Sequence, residues 1–83
     1  DTGIIALSVP IDGQPACHGN GSTIGFSVAS PEQGDTWHAA GVANGGVTCE
    51  EPPGIRDRDL GKMYLAYLRD PAGNKICALC RPE

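Results

Sequence analysis

Apolar and polar residues alternate along several stretches of this chain, and the period changes once. Gly3 to Pro10 (Gly-Ile-Ile-Ala-Leu-Ser-Val-Pro) reads as a strand that Pro10 stops. The loop from Asp12 to Ser22 that follows is small and polar and carries Cys17, His18 and Asn20. Thr23 to Val28 then alternates cleanly: Ile24, Phe26 and Val28 share one face, while Thr23, Gly25 and Ser27 share the other. A helix start comes next. Ser30 suits the N-cap, Pro31 the first helical position, and Gln33 closes a capping box. The helix is expected to run to about Ala43 and to end at Asn44-Gly45-Gly46, where a left-handed cap is available.

That helix carries Gly34 and Gly41, each costing about 1 kcal/mol relative to Ala, so packing must hold it. Trp37 is its one large apolar anchor and is expected to lie on the face made by Ile24, Phe26 and Val28, with Gly41 allowing a close approach to the sheet. Val47 to Cys49 starts a short strand, Glu50 to Gly61 reads as an irregular loop, and a hairpin closes the chain. Its arms, Tyr64 to Leu68 and Lys75 to Cys80, flank Asp70-Pro71-Ala72-Gly73-Asn74. Asp there can bond its own backbone, Pro pre-sets φ, and Gly or Asn accepts positive φ.

Composition narrows the class. Eighty-three residues allow one small domain, which buries only about 60–65% of its unfolded surface; a partner or second copy would help. The net charge of −4, without a Lys/Arg cluster, argues against nucleic acid. No apolar run reaches the roughly 20 residues that span a bilayer. The four cysteines, Cys17, Cys49, Cys77 and Cys80, are expected to be reduced thiols in a cytoplasmic protein, with one or more disulfides or a metal site as the alternatives. Cys77 and Cys80 would point to opposite faces of one strand, which suits neither a redox pair nor a zinc knuckle.

The order of these motifs resembles the vicinal oxygen chelate superfamily, which holds the glyoxalases, bleomycin-resistance proteins and extradiol dioxygenases. The likeness rests on Gly19-Asn20-Gly21-Ser22 before a strand, Trp37-His38-Ala39-Ala40 in the helix, Gly45-Gly46 after it, Pro52-Pro53-Gly54-Ile55-Arg56, and the turn from Asp70 to Lys75. It implies an α+β fold: a single βαβββ module with one preceding strand, its curved mixed sheet carrying one helix on the convex face. Residues 20–83 would form the module and residues 1–12 a strand left over from a preceding module. Two such modules enclose a cavity in that family. The resemblance therefore implies either a homodimer or an N-terminal module outside this chain.

Metal-binding members place a His on the first strand and a Glu on the fourth. By motif these positions fall on Thr23 and Cys77. Thr ligates divalent metals poorly, and Cys needs companions, so no cofactor is expected and a divalent metal is the alternative. The ligand-binding candidates are Thr23, Ser27, Arg56, Leu65, Tyr67, Cys77 and Leu79. Tyr67 either walls a pocket or packs between sheets. Arg56 and Arg58 either clamp an anion or belong to a solvated loop, which Asp57 and Asp59 favour. His18 and His38 are expected to be a loop residue and a partly exposed helix residue, and Glu50-Glu51 to be surface charge. The function implied is metal-independent binding of a small organic molecule. The alternatives are a metal-dependent lyase or isomerase like lactoylglutathione lyase, and an interaction module that dimerises.

Overall fold

The computed structural model describes residues 3–59 and 61–82. Six elements follow in chain order: β1 (Ile24–Ser27), α1 (Pro31–Ala43), β2 (Val47–Thr48), β3 (Gly54–Arg58), β4 (Gly61–Arg69) and β5 (Lys75–Cys80). They form one mixed, curved sheet with a helix against one side, the α+β architecture expected. β4 and β5 pair antiparallel across the hairpin, and β1 lies parallel to β5 at the sheet edge. On the other side of β4, both β2 and β3 pair antiparallel with it, at opposite ends of its length.

The helix forms where its capping residues place it. Ser30 Oγ accepts from Gln33 N at 3.1 Å, and the Gln33 side chain reaches back to the Ala29 amide. At the far end, Gly46 N donates to Gly41 O (2.8 Å) and Gly45 N to Val42 O (3.3 Å), with Gly45 at φ 100°. This is the paired bonding of a Schellman cap.

The core lies between helix and sheet. Tyr64, Ala66, Leu68 and Ala78 are buried there, with Val28, Trp37 and Cys80 packed around the cluster and Ile76 partly buried. Trp37 meets Phe26 with ring centroids 6.3 Å apart; Ile24 stays about half exposed at the sheet edge. Gly41 does admit a close approach: a Cβ there would lie 2.4 Å from Leu68 Cδ2.

Two expectations need correction. Glu50 to Gly61 is not one irregular loop, because Gly54–Arg58 forms β3. β2 and β3 share β4 as partner, so they are one edge strand interrupted at Cys49–Pro53, where Glu50 takes φ 59°. Gly3 to Pro10 is not a strand here: none of its residues pairs with a described strand, and Ile4, Leu7 and Val9 are exposed. Alternating apolar residues make a strand only where a neighbour takes up their amides and carbonyls. Asp1, Thr2, Leu60 and Glu83, which the expected residue ranges include, lie outside the described residues.

Candidate functional site

The strand period of two sends one set of side chains to the helix and leaves the other on the open side of the sheet. The register fixes that open face. Tyr67 pairs with Cys77, and Cys77 with Gly25; Leu65 pairs with Leu79, and Leu79 with Ser27. Met63 continues the apolar row along β4, opposite Arg56 on β3. Five of the seven expected binding residues thus share two neighbouring rungs: Tyr67 and Cys77 on one, Leu65, Leu79 and Ser27 on the next.

Gly25 is what lets these rungs close up. A Cβ at that position would sit 2.9 Å from Leu79 Cδ2 and 3.4 Å from Cys77 Sγ. Thr23 lies just before β1 and therefore does not face Cys77; Gly25 does.

Arg56 belongs to a different structural role from the one considered for a solvated loop. It is buried on β3, and its guanidinium donates to three main-chain carbonyls: Pro52 O (3.0 Å), Gly54 O (3.1 Å) and Glu51 O (3.1 Å). Its Nε lies 3.9 Å from the Glu51 carboxylate. Arg56 thereby ties down the segment that interrupts the edge strand.

Sequence reasoning missed a charged pair beside Tyr67. Lys75 shares the open face with Cys77, two residues away, and its amine lies 4.9 Å from the Tyr67 ring centroid while pairing with Glu50. The hydrogen bond to Glu50 holds the Lys75 pKa above its ordinary value. The i, i+2 spacing of Lys75 and Cys77 was a usable signal; the 25-residue separation from Glu50 hid the partner. Glu50 is accordingly engaged by Lys75, whereas Glu51, 83% exposed, is surface charge as expected.

Cys77 is buried, and burial pushes its thiol pKa up, against a smaller opposing pull from Lys75. A thiol held protonated is a weak nucleophile. All four cysteines are free thiols.

The two histidines lie off this face. His38 on the helix makes a 3.1 Å hydrogen bond with Thr48 Oγ1. The exposed His18 packs on the chain-reversing turn, close enough that a Cβ on Gly73 would lie 2.6 Å from its Cδ2. Among the described residues, no three His, Cys, Asp or Glu side chains converge to hold a metal ion. No helix among the described residues is long and apolar enough to cross a membrane.

The chain is similar to the crystal structure of a glyoxalase/bleomycin resistance protein from Albidiferax ferrireducens T118. The two are 75% identical with a TM-score of 0.84, over 87% of this chain and 58% of that one. This chain thus spans well under two thirds of that protein's length. No family model matches the chain. No curated protein matches it.

Proposed function

The chain belongs to the glyoxalase/bleomycin resistance proteins of the vicinal oxygen chelate superfamily, and from that premise we propose that its open sheet face binds a small organic molecule without a metal held by this chain. The observation that carries the reading is the pair of adjacent rungs Tyr67–Cys77–Gly25 and Leu65–Leu79–Ser27. They offer a mainly apolar floor, one aromatic ring, and polar atoms at its margin. Pockets for small organic ligands are commonly lined this way. Thr23 and Cys77, at the positions where metal-binding relatives carry His and Glu, favour metal-independent binding over a glyoxalase-type lyase, which would need ligands from another chain or segment.

A single sheet face forms one wall. The opposite wall would come from a second copy in a homodimer or from an additional module. We propose a reducing compartment, the cytoplasm, which four free thiols suit.

The test is amide chemical-shift mapping with 1-naphthol, an uncharged aromatic probe, with and without EDTA. The expected result is saturable shifts centred on Leu65, Tyr67, Cys77 and Leu79, unchanged by EDTA and lost in Tyr67→Ala. Shifts confined to other surfaces, or binding abolished by EDTA, would overturn the reading.

A further inference from the structure

Glu50 reaches Lys75 only because the chain breaks its strand pattern there. Thr48 pairs with Leu68, whose side chain is buried toward the helix, and Thr48 Oγ1 bonds the His38 ring of α1 at 3.1 Å. Cys49 N donates to Tyr67 O at 3.4 Å, so the ladder runs one residue past β2 and alternation puts Cys49 on the open side. The same alternation would send Glu50 back toward the helix. Its φ of 59° breaks the pattern, and its carboxylate meets the Lys75 amine instead. Among the described residues Glu50 is the one non-glycine at positive φ. Such a conformation is strained for a residue with a Cβ, and strain of this kind gathers at functional sites.

The pair borders the proposed binding rungs. Lys75 precedes Cys77 by two residues on β5, and its amine lies 4.9 Å from the Tyr67 ring centroid. Neither charge is sealed off: the Lys75 side chain is 24% exposed and that of Glu50 39%. Their mutual hydrogen bond uses Oε2 of Glu50. An ammonium has several N–H donors and a carboxylate several lone pairs, so a single bond between them does not exhaust either. Opposite charges are mixed at the other end of the face as well, where Arg58, Arg81, Asp57 and Asp59 line one groove.

We propose that the Lys75–Glu50 pair reads an uncharged polar end of the ligand: a carboxamide-like group whose carbonyl accepts from Lys75 and whose N–H donates to Glu50, with the apolar body on Tyr67, Leu65 and Leu79. The proposal rests on the binding reading above and extends it to the class of ligand. A carboxylate in that place is attracted by Lys75 and repelled by Glu50, and an ammonium the reverse. Either gives up its hydration for little return. A neutral group with an acceptor beside a donor finds a partner at each end of the pair. The two protein charges keep each other, and the ligand supplies none.

The experiment compares naphthalene-1-carboxamide, naphthalene-1-carboxylate and 1-naphthylmethylammonium by the same shift mapping at pH 7, on wild type, Glu50→Gln and Lys75→Met. In wild type the carboxamide is expected to bind about fivefold more tightly than either ion, the size of one net hydrogen bond. Glu50→Gln leaves Lys75 uncompensated and should move the preference to the carboxylate. Lys75→Met leaves Glu50 uncompensated and should move it to the ammonium. Glu50→Gln keeps the shape of the side chain, so it reads the charge alone even if Lys75→Met disturbs the sheet. Either ion matching the carboxamide in wild type, or an order of affinities unmoved by Glu50→Gln, would overturn the role of the pair; shifts persisting on Leu65, Tyr67 and Leu79 would then leave the binding face standing. If none of the three probes shifts those residues, the binding reading fails and the inference with it.

Discussion

Gly34 of the helix sits against the ring of Tyr64 so closely that a Cβ at residue 34 would lie 2.2 Å from Tyr64 Cε2. Both residues are buried. The ring has little room to give, because its hydroxyl donates to Asp35 Oδ1 at 2.7 Å on the same helix. The glycine that weakens the isolated helix is thus what lets the helix seat on the sheet. Gly34→Ala is expected to destabilise the fold by about 1–3 kcal/mol, outweighing the roughly 1 kcal/mol gained in helix propensity. A urea titration of wild type and variant checks the sign.

The Tyr64 hydroxyl should matter in its own right. Tyr64→Phe removes a hydrogen bond to a carboxylate, and a loss of about 1–2 kcal/mol is expected. Burial first, and then Asp35, hold the Tyr64 pKa above the ordinary phenol range. The folded state therefore retains a proton that the unfolded chain releases near pH 10. The contribution of this residue is complete below that pH and falls as pH rises beyond it. The stability gap between wild type and Tyr64→Phe, followed from pH 7 to 11 by urea denaturation, should narrow at the alkaline end.

Asp70 gives the opposite dependence. Its carboxylate accepts from the Asn74 side chain and from the amides of Ala72 and Asn74, and the Asn74 side chain is the leading cause of its lowered pKa. Its stabilisation is present above the ordinary Asp value of about 4 and drains as pH falls through the lower folded value. Asp70→Ala should cost about 1–2 kcal/mol at pH 7 and progressively less toward pH 2. Thermal melts of both chains across that range make the measurement.

The thiols should differ in reactivity. Cys17 is exposed, whereas Cys77 is buried with a raised pKa. Iodoacetamide at pH 8 is expected to label Cys17 first and Cys77 last, with Cys77 accelerating on mild denaturation. Timed alkylation read by peptide mass spectrometry gives the order.

The parts of this fold visible in the sequence are those with local causes. Ser30, Pro31 and Gln33 mark the helix start, Gly45 and Gly46 its end, and the Asp70–Asn74 turn fixes the register that pairs Tyr67 with Cys77 and Leu65 with Leu79. Four of the candidate binding residues fall together because strand alternation and the hairpin register place them, and Ser27 joins them through the pairing of β1 with β5. The failures have non-local causes. β3 was hidden by Pro52-Pro53 before it and by the charges of Arg56-Asp57-Arg58, which suit an edge strand but read as a loop. Arg56 is buried because carbonyls of its own loop surround it, a partnership without a sequence signature. Gly3 to Pro10 has a strand's pattern and no described partner.

The broken β2–β3 border also bears on how copies of this protein behave when crowded. A sheet border invites another chain to add on when it presents an uninterrupted row of amides and carbonyls. On this side the row is cut at Cys49–Pro53, carries two prolines, and has part of its carbonyl complement capped by Arg56. The opposite border, β1, has no such break and ends in a half-exposed Ile24. Runaway strand-on-strand stacking is thus blocked at one margin of the sheet, so growth through β1 stops once two sheets have met.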